Sequence, residues 1–298
     1  MRWGVAALLA ACAVAVCAVY SFSREDVALQ AGTEVAGPMD ERPRSSTNAG
    51  HTRSIAQSVG QHGRARLWIE QPFNVFEVQR LANSGDAAAQ RKLAQIYESC
   101  LQFSTFGDRY LDDVRAVASS LPTRVEAQLL LDAASHQVGL CANVDDGQRI
   151  PLEAIRLWME SAARGGDVAA EAKAATWSMG EGRAELVSNA WTKAFKSADG
   201  EAMFALSDDV SNDEFLKNFG DVVEPEDASA VVALVACRLG VDCAAGGQVM
   251  RSMCLESYAC LETGYEEFLY RHRVLEGRQS AVSMQVESVL RALNQRKE

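Results

Sequence analysis

Two stretches of this chain carry the same order of glycine, aspartate and alanine, 81 positions apart. They read LANSGDAAAQRKLAQIY (81–97) and SAARGGDVAAEAKAATWS (161–178), and a third, looser copy is WTKAFKSADGEAMFALSDDV (191–210). An offset of 81 is about two units of 40 residues, a length typical of repeats made of helical pairs. Internal repetition of this kind restricts the chain to architectures in which similar helical pairs stack side by side.

Each copy contains a glycine followed by an acidic residue, and this dipeptide predicts a junction between two helices. The glycine ends one helix in a left-handed backbone conformation. The acid caps or begins the next helix, where negative charge suits the helix dipole. Small alanines then let the two helices approach each other closely. The predicted repeat junctions are Gly85–Asp86, Gly166–Asp167 and Gly200–Glu201.

Helical periodicity continues through the rest of the chain from about residue 67. The predicted fold class is all-α, a solenoid of helical hairpins closed by a disulfide-stapled C-terminal helical cap. The predicted helices span residues 73–83, 87–102, 108–119, 124–138, 152–164, 168–179, 183–197, 201–209, 212–219, 225–239, 247–257, 263–275 and 280–295.

The segment EAIRLWMESAARGGDVAAEAKAA (153–175) has its tryptophan, paired alanines and glycine in an order that resembles the Sel1-like repeats, which are related to tetratricopeptide repeats. The resemblance covers roughly residues 73–210. The Gly-x-Gly-Val loop that usually joins Sel1 helices is missing after Tyr97, and SMGEGRAE (178–185) matches it in part. The resemblance implies an α-solenoid scaffold that binds other proteins and that is often exported in bacteria.

The N-terminal residues predict export. Residues 3–22 form a run of 20 positions without a charge, which is long enough to cross a bilayer as a helix. Arg2 precedes the run and a net negative flank follows it, so the rest of the chain is expected outside the cytoplasm. Three forms are open: an uncleaved inner-membrane anchor, a cleaved secretory signal, or a lipoprotein whose lipidated residue is Cys12 within LAAC (9–12).

Four segments divide the chain. Residues 1–22 are the signal or anchor, and residues 23–65 form a tether rich in glycine and proline that contains His51 and His62. Residues 66–220 carry the Sel1-like repeats, and residues 221–298 form a Cys-bearing helical region.

The six cysteines that follow the N-terminal segment predict three disulfides. An even number of cysteines in an exported chain indicates disulfides, and the spacings lack the short intervals of paired zinc ligands. Antiparallel helices bring the end of one helix beside the start of the next, which favours Cys237–Cys243 and Cys254–Cys260. Cys100 and Cys141 are then left to pair with each other.

The net charge excludes one large class of partner. The chain has a net charge of −11 and a pI of about 5.0. Phosphate backbones repel such a chain, so nucleic acid is not expected as a partner. Anionic lipid surfaces are disfavoured for the same reason, and membrane contact is expected only through the N-terminal segment. A basic protein partner fits the charge.

No motif in the sequence predicts a catalytic centre, a cofactor or a metal site. His136 and His272 lie on predicted helices, where structural roles are common. Glu98–Ser99 and Glu256–Ser257 resemble the Glu-Ser pair of lytic transglycosylases, but the Gly-Leu-Met-Gln segment of those enzymes does not follow either pair. Carboxylate-rich stretches at 143–148 and 206–215 lack the EF-hand order, so caps and solvated loops explain them.

Three tryptophans have two possible roles. Trp158, Trp177 and Trp191 have the spacing of helix-packing positions, which predicts core residues. Any of them exposed on a concave face would instead be an interface anchor.

The sequence therefore predicts a non-catalytic, exported scaffold that binds an envelope protein. The alternative is an immunity or inhibitor protein that neutralises a toxin or a wall-degrading enzyme, because a compact, acidic, disulfide-stapled chain suits that role. A third hypothesis is an enzyme with an unrecognised all-α site.

Overall fold

The computed structural model of the chain describes residues 74–210 and 213–295. The predicted anchor at 3–22 and the tether at 23–65 lie outside the described residues. Within the described ranges the chain is all-helical and contains no strand, which confirms the predicted all-α class. No helix in these ranges is long and apolar enough to span a membrane.

Thirteen α-helices make up the described part, and each overlaps one of the thirteen predicted segments. They are α1 (Val75–Asn83), α2 (Ala87–Phe106), α3 (Arg109–Ser120), α4 (Arg124–Cys141), α5 (Leu152–Arg164), α6 (Val168–Trp177), α7 (Arg183–Ser197), α8 (Gly200–Leu206), α9 (Asp213–Phe219), α10 (Ala228–Arg238), α11 (Gln248–Ser257), α12 (Tyr265–His272) and α13 (Gln279–Gln295). Short helical turns lie at Val144–Gly147, Ser207–Asp209 and Pro225–Asp227.

Three helix pairs, α1–α2, α5–α6 and α7–α8, share one pattern of hydrogen bonds at their junctions. In each junction an aspartate carboxylate accepts from the backbone N–H three residues later, and this cap satisfies a free donor of the second helix. The bonds join Asp86 to Ala89 at 2.8 Å, Asp167 to Ala170 at 2.8 Å and Asp199 to Ala202 at 2.9 Å. The backbone N–H of each aspartate also donates to the carbonyl five residues earlier. We call these three units the Asp-capped pairs.

The third junction lies two residues earlier than predicted. Ala198 takes the left-handed position there, with φ of 49°, and Asp199 is the cap. Gly85 and Gly166 occupy the same position in the first two pairs, with φ of 93° and 89°. An alanine in this conformation is strained, since its Cβ crowds the following carbonyl.

Gly200 and Glu201 are therefore not junction residues, and that prediction is wrong. Gly200 is the first residue of α8 and is buried against α10. A Cβ at this position would lie 2.9 Å from the carbonyl oxygen of Ala236 and 3.0 Å from Cβ of Leu239. The glycine is required by this close approach of the two helices. Its backbone does not adopt the left-handed conformation.

The α3–α4 hairpin separates the first two Asp-capped pairs and accounts for their wide spacing. α4 begins with a capping box in which the Thr123 hydroxyl accepts from Glu126 N–H and the Glu126 carboxylate accepts from Thr123 N–H. α2 packs against α1, α4 and α5, so α2 and α5 are neighbours although the hairpin lies between them in the chain.

The largest core of the described residues lies among α6, α7, α8, α10 and α13. Trp191 is at its centre with no exposed surface, and its ring stacks on Phe195 with centroids 5.1 Å apart. Residues 228 to 236 of α10 are buried except Ser229, because α8 and α13 pack on this helix. The core therefore runs without interruption across the predicted boundary between residues 220 and 221.

A second core joins α1, α2, α5 and the turn at Val144–Gly147. In that turn the carboxylate of Asp145 accepts hydrogen bonds from Gln79 Nε2 at 2.8 Å and from the Tyr97 hydroxyl at 2.7 Å. Burial and the neighbouring carboxylate raise the pKa of Tyr97 to about 12. The turn thus holds α1 and α2 together through these two partly buried hydrogen bonds.

A third, small core lies where α11 packs against the α3–α4 hairpin. Its buried members are Ala118, Leu130, Ala133, Cys254 and Cys260. The Cys254 sulfur is 4.0 Å from the carbonyl oxygen of Leu129 in α4. We call this region the α4–α11 contact. Through it, the C-terminal part of the chain contacts the α3–α4 hairpin, which lies much earlier in the sequence.

Candidate functional site

The exposed face of α2 carries a ladder of charged contacts to α6 and α8. Arg91 Nε lies 2.9 Å from Asp167 Oδ1, and the same guanidinium also contacts the carboxylate of Glu201. Gln95 Nε2 donates to Glu201 Oε2 at 3.1 Å. Asp167 therefore caps α6 and pairs with α2 at once. Glu201, predicted as a junction residue, is instead the α8 contact of this ladder.

The ladder continues toward the C-terminal ends of α2 and α6. Lys173 Nζ lies 3.2 Å from Glu98 Oε1 and 5.4 Å from the ring centroid of Trp177. The Glu256 carboxyl of α11 is close enough for its pKa to be affected by both charges. Partial burial and repulsion from Glu98 raise that pKa, and Lys173 opposes the rise.

A cleft lies between α2, α4 and α11, and its floor and walls are rich in hydrogen-bonding groups. It measures about 360 Å³ with open solvent included. Two of its lining residues are cations, Lys92 and Arg251, and two are aliphatic, Ile96 and Leu140. The other lining residues carry amides or hydroxyls and are Gln95, Ser99, Gln137, Gln248 and Ser252. None of the lining residues that belong to the described ranges is a carboxylate.

Electrostatics in this cleft act mainly on Lys92. Burial lowers the pKa of its ammonium, and Arg91 and Arg251 lower it further by repulsion, while Glu201 opposes them. Arg251 Nη1 lies 3.4 Å from Nε2 of His136. A guanidinium can only donate, so this geometry requires an imidazole whose Nε2 accepts. His136 thus lies at the edge of the cleft, where it contacts a cation.

All three predicted cysteine pairs lie at disulfide distance. The S–S distances are 2.00 Å for Cys100–Cys141, 2.01 Å for Cys237–Cys243 and 2.02 Å for Cys254–Cys260. The first links the end of α4 to α2. Cys237–Cys243 links α10 to the loop that precedes α11, and Cys254–Cys260 links the last turn of α11 to the segment that follows it. α11 forms one wall of the cleft.

The three tryptophans have different environments. Trp191 is fully buried, so the alternative of an interface anchor is wrong for this residue. Its indole N–H is buried and has no hydrogen-bond partner among the described residues. Trp158 is half-buried against the second core. Trp177 keeps 36% of its surface exposed at the end of α6, beside the fully accessible side chain of Met179.

The other residues considered for chemistry have structural surroundings. The Ser99 hydroxyl donates to the Ile96 carbonyl of its own helix at 2.8 Å. His272 Nε2 lies 3.2 Å from Glu262, a buried carboxylate that also pairs with Arg271 at 2.8 Å. No group of three or more His, Cys, Asp or Glu side chains with metal-ligand geometry occurs in the described ranges.

Negative charge is concentrated between residues 199 and 227. This stretch contains ten acidic residues and one lysine, a net charge of −9 in a chain whose total is −11. Because Gly200 packs against the end of α10, α8 and α10 run antiparallel, and the end of α8 lies near the start of α10. Four exposed carboxylates lie at this end of the two helices: Asp208, Asp221, Glu224 and Glu226. We call them the acidic end.

The acidic end surrounds a buried ion pair. Asp227 is almost fully buried and accepts from Arg278 Nη2 at 2.6 Å and from Gln285 Nε2 at 2.9 Å. This pair ties the start of α10 to α13. Glu226 takes part in that connection, since its Oε1 lies 3.3 Å from Arg278 Nη1. The side chains of Asp208, Asp221 and Glu224 are exposed at the surface, where a partner could contact them.

Sequence reasoning missed both the cleft and the acidic end. The charge imbalance of 199–227 is visible in the sequence, since a running count of Asp and Glu against Lys and Arg finds it. The cleft is not, because its three walls come from α2, α4 and α11, and only the folded chain brings them together.

No protein-family model matches this chain, and neither the curated proteins nor the solved structures provide a match.

Proposed function

We propose that this protein is a non-catalytic, exported interaction protein, built on Sel1-like helical pairs, which binds a basic protein of the cell envelope through the acidic end. The Asp-capped pairs support the solenoid part of this proposal, because three similar hairpins in one chain are the unit of such repeats. The cysteine pairs support export, since disulfides persist in oxidising compartments.

The observation that carries the proposal is the concentration of charge. Nine of the eleven excess negative charges fall within 29 residues, and four of the carboxylates are exposed at one end of α8 and α10. Clustered surface charge of one sign repels itself and lowers stability. It also steers an oppositely charged partner and increases its rate of association. A basic protein surface is the partner that this charge would recognise.

The test is affinity capture from envelope extract with the full chain carrying a C-terminal tag. A neutralised variant, Asp208→Asn/Asp221→Asn/Glu224→Gln, is compared with wild type by quantitative mass spectrometry. The matched control, Asp113→Asn/Asp132→Asn/Glu287→Gln, removes the same charge from exposed positions on α3, α4 and α13. We expect one basic protein to be retained by wild type and control and lost from the neutralised variant. Equal retention by all three proteins would refute the proposed surface.

The identity of a captured protein decides between scaffold and inhibitor. If the partner is a toxin or a wall-degrading hydrolase whose activity falls when this protein is added, the inhibitor alternative is correct. If the partner has no such activity, or keeps it when bound, the scaffold is favoured. Peptidoglycan turnover by the purified chain alone would instead support the enzyme hypothesis.

The cellular location of the protein is tested separately from the identity of its partner. A reporter that is active only outside the cytoplasm, fused after residue 298, should be active in cells. Fractionation with and without the N-terminal segment then separates an anchored form from a secreted one. A second type of reporter, which works only inside the cytoplasm, would contradict export if it were active when fused at the same position.

A further inference from the structure

The cleft between α2, α4 and α11 differs from the rest of this acidic molecule in the chemistry of its lining. Among the described residues, its lining includes two cations and five side chains with amide or hydroxyl groups, and no carboxylate. A chain with a net charge of −11 would be expected to present carboxylates at most clefts. Groups of this kind are the donors that proteins use to hold oxyanions.

The positive charges of the cleft repel one another. Lys92 is partly withdrawn from water, and both Arg91 and Arg251 lie near enough to disfavour its charged form. Glu201 offsets part of this repulsion, but it also pairs with Arg91 and accepts from Gln95. An anion in the cleft would favour the charged form of Lys92, since an opposite charge within a few ångströms stabilises the ammonium that burial destabilises.

Arg251 is held in a preorganised position. It lies on α11, whose last turn is restrained by Cys254–Cys260 and whose preceding loop is restrained by Cys237–Cys243. Its guanidinium approaches His136 on α4, so the cation is directed across the cleft. A rigid wall lowers the entropy that binding would otherwise cost. The neighbouring Ser252 and the Gln248 amide one turn earlier lie on the same wall.

We propose that this cleft binds one oxyanion group, a carboxylate or a phosphate, with Lys92 and Arg251 as its cationic contacts. Ser252 and Gln248 supply neutral donors from α11, and the aliphatic parts of Ile96 and Leu140 exclude water from one side. This site is distinct from the acidic end, and the inference does not rest on the proposed protein partner.

The experiment titrates the purified full chain, labelled with ¹⁵N-arginine, with sodium phosphate and separately with sodium acetate. Sodium chloride keeps the ionic strength constant. We expect a saturable shift of the Arg251 side-chain signal with at least one of the two anions. The stronger response identifies the group, since acetate presents a planar carboxylate and phosphate a tetrahedral anion. No saturable shift with either anion would overturn the proposal.

Variants test which residues hold the anion. Lys92→Met should weaken binding roughly tenfold or more, the loss expected for one charge-assisted hydrogen bond. Lys196→Met removes an exposed lysine from α7 and should leave the affinity unchanged. If both variants weaken binding equally, the effect is general charge attraction and the proposal is wrong. Should Lys92→Met fail to fold, Arg251→Gln tests the opposite wall, with exposed Arg164→Gln as its control. Titration of Arg251→Gln is followed through the melting temperature, and an unchanged response would again contradict the proposed site.

Discussion

The Asp-capped pairs and the α4–α11 contact are both made of packed helices, but different forces hold them. Helices α6, α7 and α8 of these pairs contribute to a core that contains thirty buried residues of the described part, and the core at the α4–α11 contact contains five. Two of those five are the half-cystines of one disulfide. Where apolar burial is extensive, it suffices to order the helices. Where it is small, a covalent link supplies part of the restraint.

The comparison predicts that the largest loss of stability comes from the centre of the large core. Trp191→Ala removes a fully buried side chain that stacks on Phe195. We expect the free energy of unfolding to fall by about 3–5 kcal/mol, as for other aromatic-to-alanine changes in cores. Urea denaturation followed by circular dichroism measures this, with Met179→Ala as an exposed control that should change it by less than about 0.5 kcal/mol. A loss below about 1 kcal/mol for Trp191→Ala would show that this core is not the main source of the free energy of unfolding.

The second-largest expected loss of stability comes from removing a disulfide, and it distinguishes the α4–α11 contact from the large core. Cys254→Ala/Cys260→Ala opens a short loop, so the expected loss is about 2 kcal/mol. Hydrogen exchange should show faster exchange in α11 and unchanged protection in α5, α6 and α10. Uniform loss of protection in all of these helices would mean that the α4–α11 contact is not an independent unit.

A smaller effect concerns the polar contact between α1 and α2. Tyr97→Phe removes the hydroxyl that donates to Asp145, with an expected loss of about 1.5 kcal/mol at pH 7. Tyr97 has its pKa raised to about 12, whereas an unfolded tyrosine titrates near 10. The unfolded state therefore loses its proton first. Stability that Tyr97 contributes is fully present below pH 10 and is lost as the pH rises from about 10 to 12.

Denaturation at several alkaline pH values checks this sign. The stability difference between wild type and Tyr97→Phe should shrink between pH 10 and 12. A difference that stays constant over that range would contradict the raised pKa.

The caps of the Asp-capped pairs should each contribute a modest amount. Asp86→Ala removes the hydrogen bond to Ala89 N–H, and we expect a loss of about 1 kcal/mol. Asp86→Asn keeps an acceptor in the same place and should recover most of that loss. If the two variants are equally destabilised in thermal denaturation, charge rather than capping explains the aspartate.

The smallest predicted effect is a gain in stability, whereas the other substitutions reduce it. Ala198→Gly places glycine at the left-handed position where the other two pairs have Gly85 and Gly166. Relief of the backbone strain outweighs the greater freedom of glycine in the unfolded chain, so we expect a gain of about 0.5–1 kcal/mol. Gly166→Ala is the reverse test and should destabilise. Destabilisation by Ala198→Gly, measured as a lower melting temperature, would argue against the shared junction.

Local sequence signals were sufficient for part of this structure. Helical periodicity and caps predicted thirteen helices, and the first two Gly–Asp junctions were placed at the correct residues. The third junction was misplaced, because Ala198 adopts a conformation that sequence rules reserve for glycine. The junction was predicted at Gly200, but the role of this glycine is to let α10 approach α8 closely.

Long-range packing could not be read from the sequence. That α11 returns to α4 depends on contacts between residues more than one hundred positions apart, such as Cys254 and Leu129. Cys237–Cys243 and Cys254–Cys260 were predictable, since each closes a short loop between neighbouring helices, and Cys100–Cys141 followed as the remaining pair. The cleft was not predictable, because nothing in the sequence around Lys92 or Arg251 indicates that the fold brings these two residues together.

The central claim is that the acidic end is the binding surface, and the salt dependence of partner binding tests it most directly. The dissociation constant of the captured partner is measured between low and physiological salt for wild type, Asp208→Asn/Asp221→Asn/Glu224→Gln and the control Asp113→Asn/Asp132→Asn/Glu287→Gln. We predict that the neutralised variant binds more weakly and with a flatter salt dependence, because fewer charge contacts remain to be screened. The control should match wild type. Identical affinities and salt slopes for all three proteins would contradict the account.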